Sequence, residues 1–189
     1  MNDVSRFLAQ LFTERPYVFI SWPATAMVVG TIAVKCSQGI ATRLGLQPRT
    51  GRGLVGIFTA PFLHANFAHL AANLPPFVVL GWLVLRHGEK PFLYATLMIA
   101  LAQGVLLWLL GRRAAHIGMS GVIFGFLGWL VTMAWLTRAT ADLLAAAGVL
   151  IFYGGMLAGV APARNGTSWE GHLFGLLAGV GTAWWMVRG

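Results

Sequence analysis

Long apolar runs, each closed by a basic or glycine-containing turn, follow one another along almost the whole of this chain. A bilayer core takes roughly 20 apolar residues per helix, so every such run is a candidate membrane span. The first, Tyr17 to Val34, ends at Lys35. Ala68 to Leu85 is closed by Arg86-His87-Gly88-Glu89-Lys90, and Pro91 to Leu110 stops at Gly111-Arg112-Arg113. Met119 to Leu136 stops at Arg138, Leu143 to Val160 at Pro162 and Arg164, and Gly171 to Val187 just before Arg188. Six spans use most of the 189 residues and leave no room for a soluble domain. The pattern predicts an all-α polytopic membrane protein with six transmembrane helices.

Composition closes the other routes. With 58% hydrophobic and 10% charged residues the chain is far from a soluble domain, in which about a quarter of residues are charged. Disorder is excluded by the same excess of apolar residues. The net charge of +8 is scattered between apolar runs instead of gathered on one face, which argues against nucleic acid and for anionic lipid head groups as the counter-charge. Cys36 is the single cysteine and can close neither an intrachain disulfide nor a thiolate metal site alone.

Residues 1–16 are expected to form a short interfacial segment, with Phe7, Leu8, Leu11 and Phe12 on one apolar side, or a frayed start. The late first span, without a strongly basic lead, argues against a cleaved signal peptide. The connection from Cys36 to Leu63 is too long for a turn and is expected to carry structure of its own. Charge does not orient the chain. Arg6, Arg15, Arg86, Lys90, Arg138 and Arg188 fall on one side, and Lys35, Arg43, Arg49, Arg52, Arg112, Arg113 and Arg164 on the other.

Polar groups inside spans are expensive and are functional candidates by default. They concentrate at the starts of spans two, four and six, which run in the same direction. His64, His69 and Asn73 lead into span two, Gly118-Met119-Ser120-Gly121 into span four, and Gly171-His172 into span six. His69 and Asn73, four apart, share a helical face. Gly121 and Gly125, with Gly171, Gly175 and Gly179, form small-residue seams that let two helices approach closely. Packing the seams together would set the Ser120 hydroxyl beside the His172 imidazole, a base-activated nucleophile. No carboxylate is well placed as a third member, because Glu170 lies on another face from His172.

Each feature has a plainer reading. A lone membrane serine usually bonds its own backbone, glycine seams usually only pack, and His87 and His116 read as interfacial. The histidines could instead ligate a metal or haem, although no His-Glu-x-x-His pattern is present. A pore lining would place polar residues at several depths, whereas these share one. It is that common depth that favours a catalytic site.

The blocks His64-x4-His69-x3-Asn73, Gly118-x-Ser120-Gly121 and Gly171-His172-x-x-Gly175 closely resemble the signature of rhomboid intramembrane serine proteases, in the family's order and on its helices two, four and six. Phe58-Thr59 and Gly81 also fit the family pattern. The resemblance implies a catalytic core over 17–188 and a Ser120–His172 dyad with Ser120 as nucleophile. It implies an oxyanion site from His69, Asn73 and the Ser120 N–H, with His64 holding the first loop against span two. It further implies no cofactor and no metal, termini in the cytoplasm of an inner or plasma membrane, and single-span or other transmembrane proteins as substrates. Phe124 stands where the family often has a tyrosine stacked on the histidine. Val55 and Gly56 stand near the place of a Trp-Arg pair that many members carry in the first loop. Pro75 and Pro76 are expected to bend span two. The alternatives are a catalytically inactive rhomboid-like client-binding protein, or a six-span channel or carrier.

Overall fold

The computed structural model describes residues 17–37, 39–162 and 168–189; the expected interfacial segment 1–16 lies outside them. The described chain is helical. In order come α1 (Val18–Cys36), α2 (Gly39–Leu44), α3 (Gly51–Thr59), a 3₁₀ turn (Ala60–Phe62), α4 (Phe67–Leu85), α5 (Glu89–Leu110), α6 (Ser120–Thr137), α7 (Thr140–Tyr153), a 3₁₀ stretch (Gly154–Val160) and α8 (Trp169–Arg188). In a bilayer every backbone polar group must find its partner within the protein, and uninterrupted helices do this segment by segment.

Among the described residues five segments are long and apolar enough to cross a bilayer: α1, α4, α5, α6, and α7 with its 3₁₀ extension. α8 has comparable length, 20 residues, but carries Glu170, His172 and several glycines along it. It makes the most extensive helix–helix contact in the structure, with α6.

α6 is the axis of the bundle. Every residue from Gly121 to Leu130 is buried, in keeping with a sequence apolar on all sides. Glycines set how closely its neighbours come. A Cβ added at Gly175 or Gly179 of α8 would overlap the backbone carbonyl of Gly121 or Gly125 respectively, so the two helices lie backbone to backbone and parallel. α5 runs antiparallel to α6, with Gln103 beside Gly121 and Ile99 beside Gly125. α4 packs on α6 through Phe77, which stacks on Phe126 nearly two turns in from Ser120, at 6.2 Å between ring centroids.

One expectation changes in detail. The fifth span is not one continuous α-helix: it ends at Tyr153 and continues as 3₁₀ from Gly154 to Val160. Gly154, Gly155 and Gly159 supply the low helix propensity for this. α4 runs as a single helix through Pro75 and Pro76. Missing N–H groups there deprive the carbonyls of Ala71 and Ala72 of their helical donors, which a chain lining a cavity tolerates.

The long first loop does carry structure, namely α2, α3 and the Ala60–Phe62 turn. Thr50 caps α3, its side chain accepting from the Gly53 N–H at 3.1 Å. The segment before α3 is fastened to the end of α5. Arg49 takes a left-handed backbone, φ 58°. Its guanidinium donates to the carbonyls of Leu109 and Gly111, both at 2.8 Å, and Trp108 Nε1 donates to the Thr50 carbonyl at 2.9 Å.

Candidate active site

Ser120 opens α6, and as the first helical residue its backbone N–H has no intrahelical acceptor. His172 lies in the first turn of α8, one step beyond Gly171 in the glycine seam. The close approach of the two helices brings His172 Nε2 to 2.9 Å from Ser120 Oγ.

The second ring nitrogen settles the direction of that bond. His172 Nδ1 lies 3.0 Å from the carbonyl oxygen of Gly159, in the 3₁₀ stretch after α7. A carbonyl only accepts, so Nδ1 carries the hydrogen, and in the neutral ring Nε2 offers a lone pair to the serine hydroxyl. A backbone carbonyl thus fixes the tautomer and orientation of this imidazole, without the charge that a triad carboxylate would add. Phe124, one turn along α6 from Ser120, stacks flat on the ring at 4.3 Å between centroids and 9° between planes. Stacking therefore survives the absence of a tyrosine hydroxyl.

Facing the dyad is the start of α4. Asn66 caps that helix, its side chain accepting from the His69 N–H at 2.8 Å. Ala65 N–H donates to His69 Nδ1 over a long 3.5 Å, which leaves Nε2 as the donor of that ring. Asn73, 4% exposed, donates from Nδ2 to the His69 carbonyl at 2.8 Å and keeps a second N–H. Gly118 is held at φ +119°, and a Cβ there would come 2.9 Å from the His69 ring, so both backbone and space demand glycine.

His64 is fully buried and accepts from the Met119 N–H at 3.4 Å, while its ring meets that of His69 edge-on at 4.9 Å. The end of the first loop is thus in contact both with span two, through His69, and with the residue before α6. Burial first, and then the neighbouring His69, lowers its pKa to about 4.

His116, expected to be interfacial, is buried within the protein. Its Nε2 donates to the Arg112 carbonyl at 3.0 Å and its Nδ1 accepts from Ser168 Oγ at 2.7 Å. Burial holds its pKa below the ordinary histidine value, against the opposing pull of the Arg112 carbonyl and Glu170. Glu170 turns away from His172 toward Arg112, whose Nε lies 3.6 Å from Oε1.

Ser120, His172, His69 and Asn73 all line one cleft of about 680 Å³. Ala72, Ile123, Phe124 and Met156 make one apolar wall, and Arg112, His116 and Ser168 a polar one. Sequence reading missed Gly159, whose contribution is a backbone carbonyl and leaves no trace in residue type. It also missed Gln103, 6% exposed on α5, whose Oε1 lies where a Cβ on Gly121 would come within 2.6 Å. A glutamine inside the apolar run of span three was the available signal. No group of three or more His, Cys, Asp or Glu side chains able to hold a metal occurs among the described residues.

Comparison with known proteins gives a consistent relationship. The family model described as the rhomboid domain matches residues 51–189. An uncharacterized protein of Mycobacterium tuberculosis is 40% identical over 149 residues, which cover 74% of this chain and 62% of that protein. An uncharacterized protein of Mycobacterium leprae is 41% identical over 140 residues, covering 69% of this chain and 55% of its own. The chloroplastic rhomboid-like protein 11 of Arabidopsis thaliana is 31% identical over 140 residues, covering 67% and 50%. The matched region thus spans only 62% or less of the length of these relatives.

Proposed function

The chain belongs to the rhomboid family, and from that premise we propose that it is an intramembrane serine endopeptidase cutting transmembrane segments of other membrane proteins. The observation that carries this reading is the 2.9 Å Ser120–His172 contact in the wall of the cleft, with the imidazole oriented by the Gly159 carbonyl.

In the proposed reaction His172 Nε2 takes the Ser120 proton as Oγ attacks the scissile carbonyl. The oxygen of the tetrahedral intermediate faces the Ser120 N–H, His69 Nε2–H and the second Asn73 N–H. Donors fixed in a water-poor site stabilise that charge without reorganisation. The imidazolium then returns its proton to the leaving amine. Water repeats the sequence on the acyl-enzyme, Nε2 taking a proton from it and handing one back to Ser120 Oγ. A substrate helix must unwind locally, because its carbonyls are otherwise hydrogen-bonded. In the proposed orientation both ends of 17–188 lie in the cytoplasm of an inner or plasma membrane and the cleft opens outward.

The test compares purified protein and Ser120→Ala on a panel of single-span substrates, with a serine-directed phosphonate as label. Cleavage and labelling at position 120 are expected for the wild type and neither for the variant, and chelators are expected to leave the rate unchanged. Cleavage by Ser120→Ala at the wild-type rate overturns the mechanism. Binding of substrates by an unlabelled, inactive wild type makes the chain a client-binding relative instead.

A further inference from the structure

Two polar side chains of the cleft wall, His116 and Ser168, take no part in the proposed reaction, yet they lie 2.7 Å apart. The imidazole is 5% exposed. Its Nε2 hydrogen is committed to the Arg112 carbonyl at 3.0 Å, so in the neutral ring Nδ1 accepts and Ser168 Oγ donates. Burial keeps the ring in that neutral form by holding its pKa below the ordinary histidine value. Ser168 stands at the N-cap of α8, where a serine hydroxyl ordinarily accepts from the free N–H groups of the first turn. Here it makes no such bond and is directed to a separate segment of the chain.

Both ends of this link are fastened to the dyad. The Ser168 carbonyl accepts the His172 N–H at 3.2 Å, and Ser168 Oγ lies over Gly171, where a Cβ would come within 2.9 Å of it. His116 exchanges backbone bonds of 3.0 and 2.8 Å with Leu46, and the Gly118 N–H donates to the Ala60 carbonyl at 2.9 Å, just before the chain reaches Ser120. A continuous set of bonds thus runs from the loop that delivers the nucleophile, through His116 and Ser168, to the backbone of the base.

We propose that His116 and Ser168 are a positioning pair: their hydrogen bond ties the residue before α8 to the loop before α6 and so sets where His172 stands relative to Ser120. Small residues let the two helices approach closely but carry no direction, whereas a hydrogen bond prefers one distance and one angle. The pair therefore supplies, at the helix ends, a register that the glycines further along do not. The proposal deepens the protease reading, and its kinetic arm rests on that reading. Misplacing a reacting group by about 1 Å costs on the order of 100-fold in rate, so a bond that touches neither substrate nor the reacting atoms still counts in kcat.

The experiment compares the wild type with Ser168→Ala, Ser168→Thr and His116→Asn on a single-span substrate. Ser168→Ala is expected to lower kcat about ten-fold or more with KM within about two-fold of the wild type. Ser168→Thr keeps the hydroxyl and is expected to restore most of kcat. His116→Asn, whose amide oxygen replaces Nδ1 as acceptor, is expected to fall between them, and it carries the comparison if Ser168→Ala does not fold. A rise in KM at unchanged kcat overturns the proposal and makes the pair a substrate contact, and an unchanged kcat in Ser168→Ala overturns it as well. A second arm needs no cleavage. Nitrogen NMR spectra of histidine-labelled protein at about pH 8, where the rings are neutral, read the tautomers. His116 is expected to carry its proton on Nε2 and His172 on Nδ1, and Ser168→Ala is expected to shift the His172 resonances while Ser168→Thr leaves them in place. Unmoved His172 resonances in a folded Ser168→Ala overturn the proposal. An inactive wild type whose His172 resonances still respond refutes the protease reading and leaves the positioning pair standing.

Discussion

His64 links two structural facts to a pH response. It has no exposed surface, and it accepts the N–H of Met119, the residue before Ser120 and α6. Its pKa is about 4 in the fold against 6.5 unfolded. Between those values the unfolded chain binds the proton and the folded one does not, so stability is lost as pH falls from 6.5 toward 4. The loss from this residue amounts to roughly 3 kcal/mol. His64→Gln keeps an acceptor without titrating, and melting temperatures between about pH 4 and 7 in detergent should fall less steeply for it than for the wild type. An equal slope would mean that His64 is not a source of the acid sensitivity. At this scale the residue types were legible in sequence, but the bonds were not. His69 and Asn73 could be placed on one helical face by spacing, whereas the partner of His64 depended on where the loop before α6 settled.

Between elements, the α6–α8 seam sets the dyad's geometry, and its glycines are not equivalent to others in the chain. A Cβ at Gly175 would overlap the Gly121 carbonyl, and backbone cannot move aside without separating the helices. At Gly104 of α5 the added atom would come 2.6 Å from Ile57 Cγ2, a side chain of the first loop. At Gly181 it would meet nothing within 4 Å. Gly175→Ala is therefore expected to cost about 1–3 kcal/mol and to abolish cleavage by widening the Ser120–His172 gap. Gly104→Ala should be milder, and Gly181→Ala neutral or slightly stabilising through helix propensity. Melting temperature and kcat/KM measured on the three variants check the order, and equal effects would reduce the seam to ordinary packing. The seam was readable in sequence because glycines recur at helical spacing. The break of the fifth span into 3₁₀ was less readable, because its glycines sit in a run otherwise apolar enough to continue.

Across the whole molecule, the parallel course of α4, α6 and α8 gathers His69, Ser120 and His172 at one end of the bundle, and sidedness decides which face of the membrane the proposed cleavage serves. In the proposed orientation position 113 is outside and position 188 inside. With Cys36 replaced by Ser, single cysteines at Arg113 and Arg188 should react differently with an impermeant maleimide on intact cells, the first labelled and the second protected. Labelling of position 188 from outside would invert the topology. Charge alone could not make this assignment, because basic residues are shared between the two sides.

The sequence by itself determined the helical segments and the depth of the polar residues. Bilayer length and backbone satisfaction act within each segment, and a glycine or histidine period is written in consecutive residues. Tertiary structure alone decided which atoms meet. Gly159 supplies a carbonyl that any residue would carry, and it reaches His172 only because the 3₁₀ stretch after α7 lies against α8. His116 reads from sequence as interfacial, and its burial follows from Leu46 pairing with it and Ser168 bonding its ring. Contacts of this kind depend on how separate helices and loops are rotated and seated against one another, and no local pattern of residue types encodes that rotation.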